Sequence, residues 1–316
     1  MPEDRQPAYR KQERSMKAVR LHAYGGVECL RYEDVPEPSP REGEVLVKVA
    51  ATSVNPVDWK LRRGDLRSVM PLELPAILGR DVAGTVAALG ANVKNFRLGD
   101  RVMGFVNQAY AEFLVARDSD LTLIPHGFQL EDAAALPLVV LSGVQLIEQG
   151  VQPQAGQTVL VTGALGGVGR TAVYVARKHG AKVIAGVRAR QRKEAQSLGA
   201  DQILALDDDD AIEALDPVDA IADTVGHQVI GKLMPRLRPH GVLATLLGKP
   251  PDAYGGDFRV VEIYTQQDAR RLGELAKAVA NGEFAIPISR RMQLSQAGQA
   301  QQLAEAGGIS KILLQP

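Results

Sequence analysis

The chain has 316 residues, a length suited to about two domains. Basic and acidic residues balance at 37 each, which gives no sign of nucleic acid or an acidic surface as partner. Cys29 is the only cysteine, which excludes an intramolecular disulfide and a four-cysteine zinc site. No apolar run reaches the length of about eighteen residues that marks a membrane helix, and no apolar signal region is visible, so a soluble cytoplasmic protein is expected.

Residues 1–15 are polar, without hydrophobic period, and are expected to form a flexible tail; MKAVRLHAYGG from Met16 reads as a natural beginning. Lys17 to His22 and Leu30 to Val35 read as strands, and Val45 to Ala51 as an alternating strand after a proline-rich turn. Asn55 to Trp59 is expected to begin a loop, and Pro75 to Gly79 to form a tight turn before the strand Val82 to Leu89. Short, glycine-punctuated strands up to about Arg117 suggest a compact, partly open β-barrel. Glu131 to Leu136 starts a helical connection.

Thr158 to Thr162 is a short β-branched apolar run, the pattern of a buried parallel strand. Gly163, Gly166, Gly167 and Gly169 crowd the turn after it, and the spacing Ala164-x-Gly166-x-x-Gly169 puts alanine at the first position of the usual dinucleotide fingerprint. A helix from Arg170 to His179 and a strand from Lys182 to Val187 complete a βαβ unit. Such a turn lets the backbone approach a pyrophosphate, which rests on free N–H groups of the helix N-terminus. An NAD site usually places a carboxylate at the end of the second strand, for the ribose hydroxyls. Here that strand ends at Arg188, with Arg190, Arg192 and Lys193 following and no carboxylate before Glu194. Guanidinium groups there suit a 2′-phosphate, so NADPH is the expected cofactor.

Further strands are expected at Gln202 to Ala205, Ala220 to Thr224, Gly241 to Leu247 and Phe258 to Tyr264, with helices at about Lys232 to Leu237 and Asp268 to Asn281. Six parallel strands with crossovers make a complete doubly wound α/β sheet. The last stretch, with a short helix and the strand Ser310 to Leu314, is expected to return to the first domain. Asp207 to Asp210 reads as a solvated loop.

The segments SVNPVDWKLRRG, PAILGRDVAGTVAALGANVKNFRLGDRV, AYAEF, AAALPLVVLSGV, GALGGVG and SKILLQP together resemble the medium-chain dehydrogenase/reductases, specifically the zinc-independent quinone oxidoreductases. The resemblance runs from Met16 to Pro316. It implies a split GroES-like catalytic domain, residues 16–130 and 284–316, around a Rossmann NADP(H)-binding domain of residues 131–283. It implies substrate in the cleft between them, and a homodimer. Cofactor contacts are expected from Ser142, Thr162, Gly163, Ala164, Gly166, Gly167, Val168, Gly169, Arg188, Arg192, Val225, Gly226, Leu247 and Gly248.

Zinc enzymes of that superfamily carry a cysteine ligand where this chain has Asn55, and a His-Glu pair where it has Arg80 and Asp81. Catalytic zinc needs three deprotonated ligands and an open position, which a guanidinium and an amide do not supply, so no metal is expected. The five histidines form no ligand-like pairing. Without a Lewis acid, simple alcohol oxidation gives way to hydride donation from NADPH to a quinone or an α,β-unsaturated carbonyl. The oxygen on which charge develops needs a donor. The resemblance offers Asn55 first and Tyr110 of AYAEF second, with packing as the alternative for Tyr110. Asp58, Trp59 and Lys60 are the expected substrate contacts, Trp59 and Lys60 standing where family members often carry a tyrosine. The 2′-phosphate tyrosine of the family is replaced around Leu206, which shifts weight onto Arg188 and Arg192. Alternatives are an enoyl-thioester reductase and a catalytically idle NADPH-binding protein, structural or redox-sensing.

Overall fold

The computed structural model describes residues 14–253 and 256–316. Most of the segment expected as a tail, residues 1–13, lies outside the described residues, and Ser15 belongs to the first strand. In chain order the elements are β1 (Ser15–Leu21), β2 (Leu30–Pro36), β3 (Glu44–Ser53), α1 (Pro56–Arg63), β4 (Ala76–Ile77), β5 (Asp81–Leu89), β6 (Arg101–Phe105), β7 (Phe113–Arg117), β8 (Leu121–Leu123) and α2 (Pro137–Gln145). Then come β9 (Thr158–Thr162), α3 (Gly167–Lys178), β10 (Lys182–Val187), α4 (Arg192–Ala195), β11 (Gln202–Ala205), α5 (Asp209–Glu213) and β12 (Val218–Asp223). The rest are α6 (His227–Leu233), β13 (Leu237–Thr245), β14 (Phe258–Glu262), α7 (Ala269–Ala280), β15 (Ile288–Gln293), α8 (Ala297–Ala306) and β16 (Lys311–Gln315).

One sheet is fully parallel, in the order β11-β10-β9-β12-β13-β14. Its order reverses beside β9, which puts a crevice at the carboxyl ends of β9 and β12, the usual ligand position of a doubly wound sheet. A second sheet runs β15-β16-β3-β5-β6-β8, with β7 also paired to β3, and a small third sheet runs β2-β1-β4. Together these give the GroES-like plus Rossmann-type α/β architecture. The terminal strand β16 pairs antiparallel with β3, Leu313 opposite Ser53. Its partner β15 has no sequence counterpart among the expected strands, because ISRRMQ exposes most of its length and carries little apolar signal.

Several local expectations change. Asn55 to Trp59 opens a helix rather than a loop: Asn55 is the N-cap of α1, Pro56 occupies the first turn, and Asp58 closes a capping box. The span Pro75 to Gly79 holds the two-residue strand β4. β3 is buried almost throughout instead of alternating, because β5, β7 and β16 all pair along it. α3 begins at Gly167, three residues before the expected start, and α6 ends at Leu233, short of the expected Leu237. Asp207 to Asp210 is not a free loop: Asp207 accepts the Ala189 N–H at 2.7 Å, and Asp208 caps α5 by accepting from Ala211.

Candidate active site

The glycine turn follows from the sequence in a definite way. Gly163 adopts φ +59°, the left-handed region, at the end of β9. A Cβ there would lie 2.5 Å from Thr224 Oγ1 and 2.8 Å from Val225 Cγ1, so the turn presses against the loop after β12. A Cβ on Gly169 would lie 2.2 Å from the Gly163 carbonyl oxygen, so that glycine permits the close approach of α3 to the turn. A Cβ on Gly167 would meet Val139 of α2 at 3.0 Å. Gly166 differs: the only atom near its Cβ position is the Gly163 oxygen at 3.3 Å, and the residue is exposed. The protein therefore leaves open space at Gly166, above the first-turn N–H groups of α3 that have no intrahelical acceptor.

The walls of this crevice are fixed by a residue that sequence reading passed over. Asp223, wholly buried at the end of β12, accepts from Thr162 Oγ1 at 3.0 Å, from the Val225 and Gly226 N–H groups at 3.1 Å, and from Thr245 Oγ1 at 2.9 Å. Thr224 N–H donates to Thr162 Oγ1 and Thr224 Oγ1 to the Thr162 carbonyl. These bonds tie β9, β12 and β13 together just below Val225, Gly226, Leu247 and Gly248. Val225 is 45% exposed, an apolar side chain facing outward at the rim.

Beyond β10, Arg188 and Arg192 are both exposed. Among the described residues Arg188 has no ion-pair partner, whereas Arg192 reaches Asp208 only at 4.0 Å. Glu194 is already engaged: Arg170, buried on α3, donates to it at 2.7 Å and to the Leu165 carbonyl at 2.9 Å. The first carboxylate after β10 thus braces the glycine turn. Ala164 is fully buried, Val168 and Leu247 are half-buried, and Ser142 on α2 is within 2.7 Å of Thr265 Oγ1.

A buried polar cluster lies next to this crevice. Asn55 donates its amide to Asp81 Oδ2 at 2.7 Å and, weakly, to the Ser53 carbonyl at 3.4 Å. Its carbonyl accepts from Lys311 Nζ at 2.7 Å. Lys311 also donates to Asp81 at 3.1 Å, and Ser53 Oγ donates to the same carboxylate. Asp81 Oδ1 accepts the Leu138 N–H at 2.7 Å. One residue further along α2, Val139 packs on Gly167. The first turn of α2 therefore joins the cluster to the glycine turn.

The amide of Asn55, the first candidate donor, is engaged in this arrangement. Asn55 is 1% exposed and both its amide hydrogens are directed at protein oxygens. Tyr110 is wholly buried, its ring against Gly79 and its hydroxyl donating to Asp58 at 3.0 Å, so packing accounts for it. Burial pushes its hydroxyl well above the usual range. Asp58 is also wholly buried and accepts the Asn55 N–H at 2.8 Å, so it does not face a substrate. The capping box turns it inward, and burial raises its carboxyl from 3.8 to about 7. Trp59 and Lys60 are half-buried on α1, with Trp59 against the cluster containing Leu61 and Tyr110. None of these three lines the cavity of about 790 Å³ that borders Arg80. Lys311, in the terminal SKILLQP, is the site residue sequence reading missed; its only signal was a lysine opening an otherwise apolar strand.

The donor set does not fit a catalytic zinc. At the three ligand positions stand an amide that is fully engaged, a guanidinium, and a carboxylate that already accepts from four donors. Among the described residues no group of three or more histidine, cysteine, aspartate or glutamate side chains could hold a metal ion.

The family model "Alcohol dehydrogenase GroES-like domain" matches residues 41–126, and "Zinc-binding dehydrogenase" matches residues 198–310. The chain is 38% identical over 199 residues to a chloroplast envelope quinone oxidoreductase homolog of Arabidopsis thaliana, a match spanning 60% of each protein's length. It is 28% identical over 324 residues to the quinone oxidoreductase QR1 of Triphysaria versicolor, across 95% of this chain and 98% of the relative. The quinone oxidoreductase structure from Coxiella burnetii superposes with a TM-score of 0.87 at 30% identity, covering 96% of this chain and all of the other. These likenesses, with the two-sheet fold and the glycine crevice, place the chain in the quinone oxidoreductase family of medium-chain dehydrogenase/reductases.

Proposed function

We propose that this protein is an NADPH-dependent reductase that delivers hydride to a quinone or an α,β-unsaturated carbonyl without a metal. The observation that carries the reading is the coupling, through the first turn of α2, of an open phosphate cradle at Gly166 to the buried Asn55–Asp81–Lys311 cluster. The cofactor supplies the hydride when bound. Gly167, Val168 and Gly169 offer backbone N–H groups to the pyrophosphate, and Val225, Gly226, Leu247 and Gly248 line the rim. Arg188, without an ion pair among the described residues, takes the 2′-phosphate together with Arg192. Of the Asn55 hydrogens, the one held at 3.4 Å by the Ser53 carbonyl is the one an acceptor oxygen can claim, once the packing over Asn55 opens. Lys311 holds the Asn55 carbonyl and so fixes the amide's orientation.

The acceptor is a small molecule. Among the described residues no helix is long and apolar enough to cross a membrane, and the proposed location is the cytoplasm. Among the described residues β14 pairs with β13 alone, and we assign its other edge to the contact between two copies in a homodimer.

The deciding experiment follows NADPH oxidation across a small panel of quinones and enones, with NADH in parallel and with chelator present. Turnover of a panel member with NADPH, unaffected by chelator, supports the reading. Tight NADPH binding without turnover of any acceptor replaces it with an idle binding protein. Activity lost to chelator and restored by zinc overturns the metal-free assignment.

A further inference from the structure

Arg80 stands out among the cations near the site. It is half-buried and makes no ion pair within 4.0 Å among the described residues. Its guanidinium lies over the Phe105 ring at 5.7 Å, donates through Nη1 to the Asn107 side-chain oxygen, and meets only the Met70 sulfur through Nη2, at 4.0 Å. Burial pushes its guanidinium below the usual range, a cost that the protein itself offsets only from a distance. The carboxylates whose field reaches it are Asp58 and Asp81. Both are turned inward: Asp81 to Lys311, Asn55, Ser53 and the Leu138 N–H, and Asp58 to the Asn55 N–H and Tyr110.

Arg80 and Asn107 line a cavity of about 790 Å³ whose other walls include Leu61, Met70, Leu72 and Leu78. Of the remaining charged residues in its lining, Arg20 is paired with Glu33, and Glu73 is exposed. Because the Asn107 oxygen accepts from Arg80 Nη1, its amide nitrogen remains a donor on the neighbouring group. Two donors on adjacent groups, backed by apolar walls, match the two oxygens of one carboxylate. Phe105, under the guanidinium, gives its carbonyl to Gln267 just before α7, so the pair sits where the two large sheets meet.

We propose that Arg80 and Asn107 form the anchoring site for an acceptor that carries a carboxylate on an apolar body, making Arg80 the residue that sets acceptor class. This deepens the reductase reading and rests on it, since Arg80 adjoins Asp81 of the polar cluster in that reading. Among the described residues no carboxylate pairs with Arg80 within 4.0 Å, and Asp58 and Asp81 act on it only from a distance. It is a selector: a carboxylated acceptor gains a bidentate pair, and the matched ester leaves the guanidinium unpaired.

The test uses a matched pair of acceptors, a 1,4-naphthoquinone bearing a propanoate side chain and its methyl ester, with the full-length protein. Wild type should show kcat/KM for the acid at least tenfold above the ester, carried mainly by KM. Arg80→Gln should bring the acid-to-ester ratio to near one, and Arg80→Lys should retain part of it. Calorimetry with non-reducible 3-(1-naphthyl)propanoate and its methyl ester reads the same preference without turnover. Acid and ester treated alike by wild type, or an unchanged ratio in Arg80→Gln, overturns the proposal. An acid preference in calorimetry with no reductase activity would instead uphold the site and overturn the reductase reading.

Discussion

Lys311 donates to Asp81 at 3.1 Å across 230 residues of sequence, with the carboxylate wholly buried and the lysine 8% exposed. β16 brings the lysine in beside β3, and β5 begins with the aspartate. Burying two charges is costly unless each finds partners, and here Asn55, Ser53 and the Leu138 N–H complete the set. Breaking such a pair from one side costs about 3–5 kcal/mol, because the other charge is left buried. Asp81→Ala should therefore lower the urea midpoint sharply, and adding Lys311→Met should recover much of the loss. An Asp81→Ala midpoint equal to wild type would show that the pair does not support the fold.

The glycine turn separates packing from binding. Gly169→Val should be poorly folded, since its Cβ would overlap the Gly163 oxygen at 2.2 Å. A Cβ at Gly166 meets no atom of the described residues closer than 3.3 Å, and the backbone angles there are ordinary, φ −71° and ψ 160°, so Gly166→Val is the variant that separates the two roles. It should melt within a few degrees of wild type and yet lose NADPH binding. Normal affinity in a folded Gly166→Val protein would move the phosphates elsewhere.

Cofactor preference should rest more on Arg188 than on Arg192, because Asp208 already draws on the latter. Replacing both with Ala should weaken NADPH binding by about 2–4 kcal/mol, on the scale of hydrogen bonds to charged groups, with NADH almost unchanged. Titration by fluorescence for each single variant checks the order. Equal losses for the two cofactors would remove both arginines from the selection.

Asp58 gives stability a pH dependence of known sign. Its carboxyl is raised to about 7, first by burial, and one of its oxygens has no partner. Between its ordinary 3.8 and about 7 the folded protein holds a proton that the unfolded chain has released. This term therefore weakens stability as pH rises through that window, and the full penalty stands above it. Asp58→Asn keeps an acceptor for the Asn55 N–H and Tyr110 hydroxyl without the charge. The variant should gain stability relative to wild type at pH 8 by more than at pH 5, read from denaturant midpoints. An identical difference at both pH values would mean that Asp58 does not titrate in this range.

Much of the nucleotide-binding half was legible because its signals are local. A β-branched run, a glycine turn and a helix of period 3.6 each declare themselves within a dozen residues, and all six parallel strands lie near their expected places. The run of arginines after β10 was equally visible. The roles of the glycines were not, because spacing alone does not say which neighbour each one touches. Only the packing of α2 and the β12 loop shows what Gly167 and Gly163 touch.

The candidate site itself was decided by tertiary structure. Asn55 was identifiable as a position, but a capping box formed over three residues turned the expected loop into α1 and drew Asp58 inside. What the amide bonds to depends on Asp81 and Lys311, which are 26 and 256 residues away from it. Charge pairing at such separations leaves no periodicity in the sequence, since strand order, not spacing, brings the partners together. For the same reason Arg80, legible in the sequence only as a residue that refuses zinc, becomes a cation without an ion pair among the described residues, beside a cavity, only once β5, β6 and the loop to β7 are assembled.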